Sequence, residues 1–307
     1  MDYTIAREWN EKTVKEYLRR KLCLSGKMIT RLKQREHGIL LNGIRVTVRA
    51  IMNEGDILTL ATEQEDLISD KIQPVDIPLH IIYEDEYYMI IDKPANMPTH
   101  PSHDHYDDTL ANGIAHLYQI RGIQFVCRAV NRLDRDTSGI VIFAKSAIAA
   151  NEFSRLQQNK LVKKEYIALV EGIVSHPGSI KGYIRRKADS IMLREFLEKN
   201  EKQDASYSHT DYFPIKSSAN NTLISLLLHT GRTHQIRVHM AHIGHPVTGD
   251  GLYGSEGTYT RHFLHAHKIS FPHPFTGIQT SFIADLPADF IAAITEKGIE
   301  YDTYRNN

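Results

Sequence analysis

Asn131-Arg132-Leu133-Asp134-Arg135-Asp136-Thr137-Ser138-Gly139 runs straight into Ile140-Val141-Ile142-Phe143 and is preceded by Val126 and Ala129-Val130. The apolar runs predict a buried strand on each side, and the polar segment between them predicts a tight connection. Asp134 is then a carboxylate among fixed cations, on a loop held by rigid elements. Catalytic groups commonly sit in such places.

Working outward, further strand patterns occur at Leu79 to Tyr83 and Tyr87 to Ile91, joined by the acidic turn Glu84-Asp85-Glu86, and again at Glu165 to Val170 and Leu223 to Leu228. Helical patterns are fewer: Thr109 to Arg121, Ala147 to Gln158, Thr233 to Ile243 and Asp289 to Lys297. Strands outnumber helices without alternating strictly with them. This predicts an α+β fold with a mixed, mainly antiparallel sheet rather than a doubly wound one.

The first sixty residues differ in character. Val14, Leu18 and Leu22 mark one face of a short helix, and Ser25 is an N-cap for a second, with Ile29 and Leu32 turned inward. Asn42-Gly43 between Ile39-Leu40-Leu41 and Ile44-Arg45-Val46 predicts a hairpin, and Gly55 to Leu60 closes the pattern with a strand. From Lys12 to Arg49 there are eleven lysines and arginines against two glutamates, a net charge of +9 inside a chain whose formal charge is zero. The cations Lys15, Arg19, Arg20, Lys27, Arg31, Lys33 and Arg35 are the candidates for phosphate contacts. The polar, acidic stretch Glu63 to Asp76, ending in Gln73-Pro74-Val75-Asp76, predicts a linker; the alternative is a surface loop of a single domain.

A chain of 307 residues with 41% hydrophobic content buries a full core and accommodates two domains. Its two cysteines, Cys23 and Cys127, offer no CxxC pair, so a reducing compartment is the simplest reading. The N-terminus lacks the basic-then-apolar order of a signal peptide, and no apolar run approaches a membrane span. We expect a cytoplasmic monomer that does not engage membranes.

Four segments resemble the RluA family of RNA pseudouridine synthases, and they spread over nearly all of residues 77 to 275. The signature HRLDxxTSG stands as residues 131 to 139, and KxYxAxVxG as Lys164 to Gly172. Gly231 to His239, Gly244 to Asp250 and Tyr253-Gly254 match the third block, while Lys93-Pro94, His100-Pro101 and Leu264-His265-Ala266 complete the likeness. The basic segment 12 to 62 is similar to the S-four RNA-binding domain. The resemblance implies an S-four-like module (1–62), a linker (63–76) and a catalytic domain (77–307). It also implies isomerisation of uridine in structured RNA without a cofactor. Large-subunit ribosomal RNA is the leading substrate and transfer RNA the second.

The same resemblance makes Asp134 the essential catalyst, with its role as nucleophile or base left open, Arg237 its partner cation, Tyr166 the residue facing the target base, and Arg132 the arginine that fills the place the flipped base has left. The chemistry suits these types. Breaking a glycosidic bond develops oxocarbenium character that a carboxylate can attack or stabilise, and a guanidinium gives a planar, permanent charge to keep a buried carboxylate ionised. On a helix starting near Thr233, the stripe Ile236, Met240 and Ile243 leaves Arg237 at its edge, free to reach the loop. Asp136 is read as a turn residue rather than a second catalytic carboxylate. Asn131 replaces the usual histidine of the signature.

Three rival readings are weaker. His229, His234, His239, His242 and His245 lack metal-ligand spacing and predict hydrogen-bonding or RNA-facing histidines, with no metal. Ser138 with His234 lacks a nucleophile elbow, and Gly249-Asp250-Gly251 lacks a phosphate-loop pattern and predicts a turn. A noncatalytic RNA-binding or ribosome-assembly protein remains the alternative of a different class, but binding alone does not require Asp134, Tyr166 and Arg237 together.

Overall fold

The computed structural model describes residues 2–22, 24, 26–61, 72–102, 104–123, 126–190, 192–200, 204–255 and 259–300. Cys23, the expected cap Ser25 and most of the expected linker lie outside these residues, and so does the side chain of Lys27.

In the N-terminal part, β1 (Asp2–Thr4), β4 (Ile57–Leu60), β2 (Ile39–Leu41) and β3 (Ile44–Arg45) form a four-stranded sheet in that order. The β2–β3 turn uses Asn42 and Gly43, both with positive φ, the conformation that Asn-Gly supplies at low cost. Helix α1 (Val14–Glu16) opens with a capping box between Thr13 and Glu16 and continues as a π-helical turn, Tyr17–Lys21; α2 (Gly26–Gln34) follows. Val14, Leu18, Leu22, Ile29 and Leu32 are buried together with Leu58 and Leu60, so the apolar stripes face the sheet and Lys15, Arg19, Arg20 and Lys33 are left outside. The same cluster includes Ile148 of the larger part, and Asn151 donates from Nδ2 to Leu22 O at 2.9 Å.

The larger part is a ten-stranded sheet. Its strands are β5 (His80–Glu84), β6 (Tyr88–Lys93), β7 (Ser138–Ala144), β8 (Lys163–Glu171), β9 (Gly178–Arg186), β10 (Arg194–Leu197), β11 (Ser206–Ser217), β12 (Asn221–Leu228), β13 (Leu264–Pro272) and β14 (Gln279–Ile283). The order is β10-β9-β11-β12-β8-β13-β7-β6-β5, with β14 paired to β13, and every pairing is antiparallel except β13 with β7. The mainly antiparallel α+β class expected from the pattern is what the chain adopts. Helices α3 (Leu110–Ile120), α4 (Ala147–Gln158), α5 (Gln235–His242) and α6 (Ala288–Glu296) cover the sheet. Among the described residues no helix is long and apolar enough to cross a membrane.

Two local expectations need correction. Residues 126–133 do not form a strand; Ala129 makes only an isolated bridge to Phe143. Among the described residues, main-chain bonds from this segment to β7 run only from Val130 N to Ile142 O and from Ala144 N to Arg128 O, both at 2.9 Å; beyond them the side chain of Asn131 takes over, accepting from Ile142 N at 2.8 Å and donating to Ile140 O at 3.0 Å. Helix α5 begins at Gln235, not Thr233, because His234 is left-handed at φ 56° and Gln235 Oε1 folds the preceding turn by accepting from Thr230 Oγ1 and Arg232 N.

Gly139 has φ 107°, and a Cβ there would lie 2.3 Å from Ala266 O. Only glycine lets β7 approach β13 so closely just behind the Asp134 loop. Gly249 does the same beside Asp250, where a Cβ would stand 2.1 Å from Arg261 O.

Candidate active site

The Asp134 loop is fixed on both sides of its carboxylate. Thr99 Oγ1 donates to Leu133 O and accepts from Leu133 N, at 3.2 and 3.3 Å. On the other side Lys93, fully buried, donates from Nζ to Arg135 O, Met97 O and Pro94 O at 3.0, 2.7 and 2.8 Å. Three acceptors account for all three ammonium protons. Burial pulls the Lys93 pKa down to about 7 against the charges of Asp136 and Asp134. Thr137 closes the turn onto Asp134 O at 3.1 Å and pairs through Oγ1 with His262 Nε2 at 2.8 Å. Burial, with Arg237 and Arg261 nearby, drives His262 down to about 2, so it is a neutral strut.

Arg237 meets this loop from α5. Its Nη1 donates to Asp134 Oδ2 at 3.1 Å, while Nε and Nη2 grip both oxygens of Asp250 at 2.6 and 2.8 Å. The guanidinium also lies 5.1 Å from the centroid of the Tyr253 ring. Arg237 is buried rather than poised at a stripe edge, with a side chain 5% exposed, whereas that of Asp134 is 30% exposed and faces the opening. Burial opposes the arginine's charge, but Asp250 and then Asp134 outweigh it and raise its pKa. Asp250 therefore holds the cation in direction and leaves one edge for Asp134.

Above the pair lies a cleft of about 810 Å³ whose lining includes Asp134, Arg237, Tyr166, Arg132, Lys164 and His234. Tyr166 and Lys164 alternate to the same side of β8. The Tyr166 phenol is held neutral, first by burial and then by the Asp134 charge. Burial also lowers the Lys164 pKa. Arg132 is exposed at the rim, and Arg135 turns to Asp136, its Nε donating at 2.8 Å. Asp136 is thus occupied outside the reacting centre. The structure brings Asp134, Arg237, Tyr166 and Arg132 to one cleft. Lys15, Arg19, Arg20, Arg31, Lys33 and Arg35 do not line it; they belong to the N-terminal part, where Lys15, Arg19, Arg20 and Lys33 are exposed.

Sequence reasoning missed Asp250, Thr99 and His234. Asp250 had looked like a turn residue. His234 Nε2 stands 3.7 Å from Asp134 Oδ2 and its Nδ1 is 2.8 Å from Tyr253 Oη. Burial and the Arg237 charge lower its pKa against the attraction of Asp134, so the imidazole is neutral near pH 7. A left-handed conformation at a histidine costs on the order of 1 kcal/mol or more, and the surrounding turn imposes it. No sequence spacing carried that signal. The remaining histidines disperse instead of forming one face: His239 is buried between Ser208 and Thr210, His242 lies against Phe196, His245 bonds Glu171 O, and His229 points to Asp211. Ser138 Oγ pairs with His265, 2.9 Å away, not with His234.

The cleft thus holds a carboxylate on an anchored arginine at its floor and a neutral tyrosine on its wall. The family model described as RNA pseudouridylate synthase matches residues 87–242, and that of the RluD ribosomal pseudouridine synthase N-terminal domain matches residues 1–58. The chain belongs to the RluA family of RNA pseudouridine synthases and is an RNA pseudouridine synthase. It is 38% identical over 279 residues to the uncharacterized RNA pseudouridine synthase YjbO of Bacillus subtilis, covering 90% of this chain and 96% of that one. It is 34% identical over 270 residues to ribosomal large subunit pseudouridine synthase D of Pseudomonas aeruginosa, covering 82% of each. Human RNA pseudouridylate synthase domain containing 4 shares the fold, with a TM-score of 0.60 at 20% identity over 72% of this chain and 94% of that one.

Proposed function

We propose that this enzyme isomerises specific uridines of large-subunit ribosomal RNA, taking the extruded uridine into the cleft beside Asp134. The observation that carries the chemistry is the Asp250–Arg237–Asp134 chain, which sets one carboxylate against a buried guanidinium and aims it at the opening. Asp134 acts at the ribose as the bond from N1 to C1′ breaks, either by attacking C1′ or by removing a neighbouring proton. The base turns, and C5 bonds to C1′ as the Asp134–C1′ ester bond breaks or, on the other route, as the proton taken from the ribose is returned to it; C5 then loses its proton to solvent and N1 gains one. Tyr166 stacks on or edges the base, which offsets part of the unstacking cost of a few kcal/mol. Arg132 at the rim fills the space the base has left in the RNA.

His234 contributes a donor. Arg194 N donates to Tyr253 Oη at 2.9 Å, and the phenol hydrogen is then directed to His234 Nδ1. We assign the imidazole proton to Nε2, facing the space beside Asp134, where it hydrogen-bonds the uracil anion after detachment. Protonation would turn His234 into a competitor of Arg237 for Asp134. Because its folded pKa lies below 6.5, activity should fall as pH drops through that lower value, and His234→Gln should remove this acid limb while lowering kcat about 10²-fold. An unchanged pH profile in the variant would refute the assignment.

The ribosomal substrate is supported by the relatives named as large-subunit enzymes and by the N-terminal family match. We read residues 1–62 as the RNA-binding module, 63–76 as the linker and 77–307 as the catalytic unit, and the enzyme as a monomer. The N-terminal part packs on Ile148, so charge substitutions test it better than truncation. The triple change Lys15→Gln, Arg19→Gln, Arg20→Gln should weaken RNA binding and reduce the slope of log affinity against log salt by up to about 3. An unchanged slope would show that these cations do not touch phosphates. Release of tritium from 5-tritiated uridine in large-subunit ribosomal RNA, but not in transfer RNA, tests the substrate. The reverse pattern would overturn it.

A further inference from the structure

Outside the cleft, three metal-ligating side chains converge on β11 and the end of β12. His209 and Asp211 are two apart on β11 and therefore share one face. His229 lies directly across, its amide donating to His209 O at 3.2 Å. Their polar atoms meet: His209 Nε2 is 3.0 Å from Asp211 Oδ1 and His229 Nε2 is 2.6 Å from Asp211 Oδ2. The two imidazoles lie nearly parallel, 4.0 Å apart. Thr210, between the two β11 ligands, points the other way to His239 and Gln235 of α5. The cluster therefore sits on the face of the sheet opposite α5.

We propose that His209, Asp211 and His229 form a binding site for a divalent first-row transition ion of zinc type, separate from the reacting centre. Two imidazoles and one carboxylate are a borderline donor set that suits such an ion, and three protein ligands leave a coordination position for water. The donor atoms already lie within 4.8 Å of one another. Side-chain rotation brings them to about 3.3 Å, the edge of a tetrahedron with bonds of about 2.0 to 2.1 Å. Each imidazole binds through Nε2 and keeps its proton on Nδ1, while Asp211 supplies the negative charge. Ser179 Oγ, 3.0 Å from His209 Nε2 on neighbouring β9, stands beside the set as a hydrogen-bond partner for the carboxylate. Lys181, which pairs with His209 across β9, adds a cation nearby. It would favour a phosphate as ligand, but a carboxylate within 3.0 Å of both imidazoles repels one.

The position gives the ion a mechanical effect. His209 O accepts from Gln235 Nε2 and His209 N donates to Thr230 Oγ1, so fastening His209 to His229 tightens the turn that carries His234 on the other face. The test is titration of the metal-stripped, full-length protein with Zn²⁺, followed by calorimetry, and with Co²⁺, followed by its visible absorption. One saturable site per chain is expected. His209→Gln, Asp211→Asn and His229→Gln should each weaken it at least about tenfold, the scale of loss seen even for outer-shell partners. The surface control His176→Gln should leave it unchanged. Circular dichroism checks that the variants fold. Zn²⁺ should also slow hydrogen exchange at amides 229 to 235 in the wild type and the His176→Gln control but not in the three site variants. Absence of a saturable site, or binding that survives all three substitutions, overturns the proposal.

Discussion

Asp134→Asn should bind RNA as the wild type does and release almost no tritium from 5-tritiated uridine. The substitution keeps shape and hydrogen-bonding capacity but removes the charge that must act at the anomeric carbon. If Asp134 transfers a proton, the loss is about 10²- to 10⁴-fold, equivalent to about 3 to 5 kcal/mol of barrier at 1.36 kcal/mol per decade. A nucleophile would cost more. Stability should barely change, because Arg237 keeps both bonds to Asp250 when its contact to Asp134 is weakened. Equilibrium RNA binding, turnover and thermal melting separate the outcomes. Turnover within a few-fold of wild type would remove Asp134 from the mechanism.

Asp250→Asn should damage both folding and catalysis, although this carboxylate is not exposed to substrate. Asp250 is 1% exposed and Arg237 4%. Removing the aspartate's charge leaves a guanidinium buried against a single, more exposed carboxylate. Breaking a buried pair from one side costs about 3 to 5 kcal/mol, visible as a lower urea midpoint. The arginine then loses its bidentate guide, and kcat should fall at least about tenfold with RNA affinity preserved, as expected for a lost positioning contact. In combination with Arg237→Met, the second substitution should cost less than it does alone, because the two residues act as one unit. A stable, fully active Asp250→Asn protein would show that Asp134 alone orients Arg237.

The contrast between these two aspartates explains how far the sequence could be read. Asp134 stands in a contiguous signature, so its place on a loop before a buried strand was legible from alternation and composition. Arg237 was legible through its block, although its burial was not. Asp250 looked like a glycine-flanked turn, and its grip on Arg237 exists only because Gly249 lets that turn lie against Arg261 O. The strand expected before Asp134 shrinks to a single bridge for a local reason: beyond Val130 the side-chain amide of Asn131, not the main chain, occupies Ile142 N and Ile140 O. Helix α5 starts late because Gln235 and the left-handed His234 build a turn first. Side-chain-to-backbone bonds of this kind leave no periodic trace.

Periodicity of two and near four, the Asn-Gly turn and the clustered cations fixed the class, the basic N-terminal part and the strand that supports Asp134, because these depend on residues within a few positions of one another. What the tertiary structure alone decided is which charges meet. Asp134, Arg237 and Asp250 lie on separate elements, and His209 and His229 face each other only across paired strands. An ion pair depends on distance in space, and its strength on burial, neither of which is written along the chain.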